Sequence, residues 1–185
     1  MNNEIVIIVG LGNPGFGYRK NYHNAGYLAV DLLAQKLNFS QFVNSEKNNA
    51  MISEMILDKK IILVKPTTFM NLSGIAVKKV VSNFKTVNCR LIVVHDDIDI
   101  PLGDVKISQN RGSAGHKGVA SIIRELGDKN FYRVRIGILP EKKPSAVDLF
   151  VLKNPTPDEL PLFQSGIEKS LLFLENEIKD KSRSD

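Results

Sequence analysis

Apolar and polar residues follow two rhythms along this chain, and the switches between them mark its elements. Residues 5–9 (Ile-Val-Ile-Ile-Val) and 90–94 (Arg-Leu-Ile-Val-Val) are short runs that do not alternate, the pattern of strands buried on both faces. Residues 25–37 place Leu28, Ala29, Leu32, Leu33 and Leu37 at helical spacing, and 74–84 do the same with Ala76, Val77, Val80, Val81 and Phe84. Residues 51–57 and 60–64 flank Asp58-Lys59 as a hairpin would. A third helix is predicted over 119–126, closed by Gly127. Residues 132–138 alternate, with Val134, Ile136 and Ile138 on one face and Arg133 and Arg135 on the other. The last helix is announced by Thr156 as N-cap, Pro157 in its first turn and Glu159 completing a capping box. Its stripe runs through Leu160, Phe163, Ile167, Leu171, Leu174 and Ile178.

Strands alternating with helices in this order predict an α/β fold, a three-layer α/β/α sandwich with a mixed, mainly parallel sheet. The 185 residues suffice for one domain spanning 1–185, with 179–185 a polar, fraying tail. The chain is 43% hydrophobic and 24% charged, which excludes a disordered polypeptide. No run approaches the ~20 apolar residues that cross a bilayer, and no export signal opens the chain, so no membrane association is expected. The single cysteine, Cys89, cannot form an internal disulfide and reads as a residue at a strand start; a reducing cytoplasm suits it. The net charge of +5 is compatible with a polyanionic partner without demanding one.

The chemistry gathers where the apolar runs stop. Gly12-Asn13-Pro14-Gly15 follows the first strand, then His23-Asn24. Later come Phe69-Met70-Asn71-Leu72-Ser73-Gly74, His95-Asp96-Asp97 and Ser113-Ala114-Gly115-His116-Lys117-Gly118. Loops of this kind at one rim of an α/β sheet are where such proteins assemble sites. Histidine, carboxylate and carboxamides without an evident nucleophile point to hydrolysis by activated water.

Each cluster also has a plainer reading. Residues 10–15 match G-x-G-x-x-G, but a dinucleotide loop needs its helix at once, and about ten residues intervene here. A tight Asn-Pro-Gly turn explains them equally well. His23 alone fits a helix start, and Asp96, Asp97, Asp99 and Asp104 alone fit a solvated loop lacking calcium-loop spacing. Asp96 is expected at the end of a central strand, where an Asp–His pair across the crevice would fix the imidazole tautomer. His23, His95 and His116 with these aspartates also suggest a metallohydrolase, but no H-E-x-x-H or other tight ligand spacing occurs, so this stays the weaker alternative; no G-x-S-x-G elbow marks a serine hydrolase.

Taken together and in order, these stretches, with Phe131-Tyr132-Arg133-Val134-Arg135-Ile136-Gly137-Ile138, resemble the bacterial-type peptidyl-tRNA hydrolases over nearly the whole length. The resemblance implies a monomeric, cytoplasmic esterase that needs no metal, no cofactor and no obligate protein partner. It would cleave the bond between a peptide and the 3′ end of tRNA. It implies His23 as general base, Asp96 as its support, and Asn13 as the residue that tells N-blocked from free aminoacyl groups. Tyr18, Phe69 and Asn71 would line the cleft for the tRNA 3′ end and the peptide, and His116 and Lys117 would contact substrate. Arg135 is the expected phosphate contact, with Arg133, Lys106 and Arg111 nearby. Two positions depart from the family pattern: Tyr22 stands where a basic residue is usual, and His116-Lys117-Gly118 replaces His-Asn-Gly. A non-catalytic RNA-binding protein on the same scaffold is the alternative.

Overall fold

The computed structural model describes residues 4–84 and 88–179. Seven strands form one sheet in the order β2-β3-β4-β1-β5-β7-β6. They are β1 (Ile5–Gly10), β2 (Val43–Ser45), β3 (Ala50–Ile56), β4 (Lys60–Pro66), β5 (Cys89–Pro101), β6 (Val105–Gln109) and β7 (Tyr132–Leu139). The four central strands are mutually parallel. Antiparallel partners close both edges: β3 and β2 beside β4, and β6 beside β7. The hairpin read around Asp58-Lys59 is present. Lys59, however, is buried at its turn, where it donates to the Glu177 carbonyl at 2.9 Å.

Helices α1 (Ala25–Lys36) and α5 (Leu160–Lys179) cover one face, and α2 (Ser73–Ser82) and α3 (Lys117–Leu126) the other. A short helix, α4 (Val147–Phe150), precedes α5. Strand β1 is buried along its whole length because Val6 and Ile8 enter the α1/α5 core while Ile5, Ile7 and Val9 enter the α2/α3 core. That accounts for its uninterrupted apolar run. The capping box before α5 is formed reciprocally. Thr156 N–H donates to Glu159 Oε2 (2.9 Å) and Glu159 N–H to Thr156 Oγ1 (3.3 Å), with regular helix starting at Leu160. Of the tail read as frayed, Lys179 closes α5 and residues 180–185 lie outside the described residues. Cys89 opens β5, and burial pushes its thiol up to about 11, the behaviour of an unreactive side chain.

Two expectations change. Strand β5 does not stop at Val94 but runs to Pro101, with a register shift between Asp97 and Pro101. Asp96 and Asp97 are therefore strand residues, both buried, and not part of a solvated loop. Their backbone stays extended because β7 continues to pair with them after β1 has ended. Arg133 does not project into solvent beside Arg135. It is 2% exposed, whereas Arg135 is half-buried and donates through Nε to Asp97 Oδ2 at 2.8 Å.

Candidate active site

The site begins where neighbouring strands end at different heights. The last residue of β1, Gly10, lies opposite Val94, and Leu11 N–H still donates to the Val94 carbonyl at 2.9 Å. Beyond that point one side of β5 is open. The chain returns to it at the start of α1 because Gly26 allows backbone to rest on backbone. A Cβ at Gly26 would lie 2.2 Å from the Val94 oxygen and 2.4 Å from the Leu11 nitrogen. This contact sets the turn Tyr22–Asn24 over the exposed flank of β5.

The same turn is tied down on its other side. Tyr22 and His23 donate their backbone N–H groups to the carbonyls of Lys153 and Val151, at 3.1 and 2.9 Å. The Tyr22 ring stacks on Phe150 (centroids 4.9 Å apart) and meets Phe163 edge-on (5.2 Å). The departure from the family pattern at Tyr22 is thus a core anchor, buried among aromatic rings rather than presented as charge.

His23 and Asp96 meet. His23 Nδ1 lies 2.9 Å from Asp96 Oδ1 and 3.0 Å from Oδ2, and both residues are buried. A carboxylate only accepts, so Nδ1 carries the proton and Nε2 is the unprotonated nitrogen of the neutral ring. Burial disfavours the His23 imidazolium, but the charge and hydrogen bond of Asp96 outweigh it, and the pKa lies above the ordinary histidine value. Burial would raise the Asp96 carboxyl. The imidazoles of His23 and His116 overcome this and hold it well below the usual carboxylate range.

Two more histidines converge on Asp96. His116 Nε2 is 3.0 Å from Oδ1, while its Nδ1 caps α3. His95, fully buried, places Nδ1 2.6 Å from the Asp96 backbone carbonyl. Donor atoms of His23, Asp96 and His116 fall within 4.8 Å of one another, so among the described residues this is the set that could hold a cation. Its atoms are instead arranged as N–H···O pairs at 2.9–3.0 Å. A cation would have to displace both imidazole protons from Asp96.

Asn13 is held by three hydrogen bonds. Its backbone N–H donates to Asn24 Oδ1 (2.9 Å), its carbonyl accepts from Asn24 Nδ2 (3.0 Å), and its Oδ1 accepts from Met70 N–H (2.9 Å). The side-chain NH₂ therefore remains the free donor. Tyr18 and Phe69 meet edge to face at 6.5 Å, and Phe69 and Asn71 are exposed on the rim. A cleft of about 320 Å³ runs from His23 and Asp96 past His116 and Lys117 to Asp148 and Val151. Lys117 does not point freely into it; its Nζ pairs with Asp148 Oδ2 at 2.8 Å.

The structure thus brings His23, Asp96, His116 and Lys117 to one cleft, while Arg135 is engaged with Asp97 on β5. Asn24, the neighbour of His23 in the sequence, fixes the Asn13 backbone with its side chain. His95, read from the sequence only as a possible metal ligand, instead hydrogen-bonds the Asp96 backbone carbonyl. Asp148 carried no signal, since α4 is a single short turn and no periodicity or motif surrounds a lone acid there.

The family model described as peptidyl-tRNA hydrolase matches residues 7–184. A peptidyl-tRNA hydrolase of Thermodesulfovibrio yellowstonii is 47% identical over 171 residues, covering 90% of this chain and 89% of the relative. That of Lactiplantibacillus plantarum is 42% identical over 170 residues, covering 91% and 90%. The crystal structure of peptidyl-tRNA hydrolase from Acinetobacter baumannii superposes with a TM-score of 0.82 at 30% identity, covering 94% of this chain and 90% of that one. With its fold, its histidine–carboxylate site and these relatives in agreement, the chain belongs to the peptidyl-tRNA hydrolase family.

Proposed function

We propose that this protein hydrolyses the ester joining a peptide, or an N-blocked aminoacyl group, to the 3′ end of tRNA, with His23 as the general base. The observation that carries this reading is the His23–Asp96 contact beside the cleft. Nε2 of His23 takes a proton from a water as its oxygen attacks the ester carbonyl. The tetrahedral oxyanion collapses, the bond to the ribose oxygen breaks, and the imidazolium returns its proton to that oxygen. Free tRNA and a peptide carboxylic acid leave, and the acid gives up its proton to solvent as the carboxylate. General-base assistance of this kind contributes about 10²–10⁴-fold. Asp96 holds the tautomer and offsets the charge that His23 gains.

Asn13 supplies discrimination through its free NH₂. An N-acyl substrate offers that donor an amide carbonyl. A free α-ammonium offers only further donors, and two donors facing each other repel. Tyr18 and Phe69 present ring faces and edges to the terminal base, and Asn71 offers an amide to the same end of the substrate. Lys117 and His116 border the cleft on the α3 side. For the phosphates, Lys106 lies opposite Arg135 in the β6–β7 pairing. Arg111 is exposed nearby, and Arg133 stands behind with its Nε and Nη1 unpaired. A phosphate approaching this cluster would relieve repulsion among its cations.

The enzyme acts as a monomer in the cytoplasm, where peptidyl-tRNA arises. Among the described residues no helix is long and apolar enough to cross a membrane. The decisive test compares N-acetylaminoacyl-tRNA with its free-amine counterpart, with and without a chelator. Release of the acyl group from the blocked substrate alone, unchanged by the chelator, is the expected result. No release from the blocked substrate would overturn the proposal.

A further inference from the structure

His116 is expected at the substrate, yet both of its ring nitrogens are engaged within the protein. Its Nδ1 accepts the backbone N–H groups of Gly118 (3.1 Å) and Val119 (3.2 Å) at the start of α3. A nitrogen that accepts two N–H groups carries no proton. The ring's one proton therefore sits on Nε2, aimed at Asp96 Oδ1 3.0 Å away. His95 reinforces the arrangement from below. Its Nδ1–H donates to the Asp96 carbonyl (2.6 Å), and its ring packs against that of His116 with centroids 4.6 Å apart.

We propose that His116 is a positioning residue for the hydrolysis: the N-terminus of α3 fixes the orientation of its ring, and it supplies Asp96 with a second hydrogen-bond donor. This rests on His23 acting as the base. Held by His23 alone, the carboxylate could swing about its χ2 axis and carry the imidazole with it. A second donor, from a different element, defines the plane of the carboxylate and hence the direction of His23 Nε2. The donor cannot be lost by a change of tautomer, because moving the proton to Nδ1 would break two backbone hydrogen bonds at the helix start. His116 also occupies one lone pair of Asp96, which moderates the pull of that carboxylate on the His23 proton.

Two amide substitutions separate the two ends of the ring. In His116→Asn the side-chain oxygen takes the place of Nδ1 and retains the cap, but nothing reaches Asp96. In His116→Gln the amide NH₂ takes the place of Nε2–H, and the cap is lost. The groups facing His23 and Asp96 are otherwise unchanged in both: His95 from β5, Lys117 from α3 and Asp148 from α4.

The experiment measures kcat, KM, pH–rate profile and Tm on N-acetylaminoacyl-tRNA, with 15N NMR of the histidine rings in the wild type. His116→Asn is expected to keep its Tm and KM and lose up to about 10²-fold in kcat, the scale of loss when a reacting group is misplaced by ~1 Å. Its acid limb should move to higher pH, because an unshared Asp96 holds the His23 proton more tightly. His116→Gln is expected to lose Tm and retain most of kcat. A rise in KM with kcat unchanged in His116→Asn would mean direct substrate contact and overturn the proposal. So would an unaltered profile, or an NMR spectrum showing the His116 proton on Nδ1. Inactive wild-type enzyme would instead remove the hydrolytic reading, while the NMR tautomer stands or falls by itself.

Discussion

His23 Nδ1 shares its proton between the two oxygens of Asp96, at 2.9 and 3.0 Å, across 73 residues of sequence. The contact sets the pH dependence. As the proposed base, His23 must be unprotonated to act, and Asp96 raises its pKa against the effect of burial. The rate kcat/KM should therefore rise with pH through a value above that of an ordinary histidine. Asp96→Asn removes the negative charge and leaves burial and Lys117 pulling the pKa down. Its acid limb should move to lower pH while its plateau falls. Profiles of the two enzymes measure this directly, and a limb that stays in place would refute the coupling.

His23→Ala should nearly abolish turnover, by about 10²–10⁴-fold, with the fold preserved. Asp96 keeps its His116 partner in this variant, so the loss of stability should be about 1–3 kcal/mol. Single-turnover hydrolysis and thermal unfolding, followed side by side, separate the two effects. A folded variant with near-normal turnover would remove His23 as the base.

Asn13→Ala should erase selectivity more than rate. The substitution deletes the NH₂ donor and leaves the Met70 N–H without its acceptor. The ratio of kcat/KM for N-acetylaminoacyl-tRNA over free aminoacyl-tRNA should fall toward one. If the ratio holds while both rates drop together, Asn13 orients the ester and does not discriminate.

Phosphate contacts by the Lys106, Arg111 and Arg135 cluster should appear as a salt slope. Each contact contributes about 0.7–0.9 units of log K per unit of log[salt]. Neutralising Lys106 or Arg111, both exposed, should reduce the slope by about one contact each. Arg135→Gln should do so as well while freeing the Asp97 carboxylate now bound at 2.8 Å. Titrations of tRNA at several salt concentrations test this, and equal slopes in all variants would place the tRNA body elsewhere.

Gly26→Ala should disturb the site through the backbone. A methyl group 2.2 Å from the Val94 oxygen must push α1 off the strand ends, at a cost of about 1–3 kcal/mol or more. The turn carrying His23 moves with the helix start. Activity should therefore fall further than Tm alone explains, measured at a temperature where the variant is folded.

Much of the molecule was legible in the sequence because it depends on local periodicity. The doubly buried strand β1, the stripes of α1, α2 and α5, and the Thr156–Glu159 capping box are each written in adjacent residues, where side-chain direction repeats every two or every 3.6 positions. So were the clusters bearing Asn13, His23, Asp96 and His116, since glycine-rich polar stretches interrupt apolar runs there. What tertiary structure alone decided is how these clusters face one another. The length of β5 past Val94 depends on β7, whose pairing holds Asp96 and Asp97 extended after β1 has stopped. The burial of Arg133, the ion pair of Lys117 with Asp148 and the double engagement of His116 depend on neighbours brought in by other elements. A side chain's exposure and its hydrogen-bond partners are properties of packing between distant segments, and local periodicity carries no record of them.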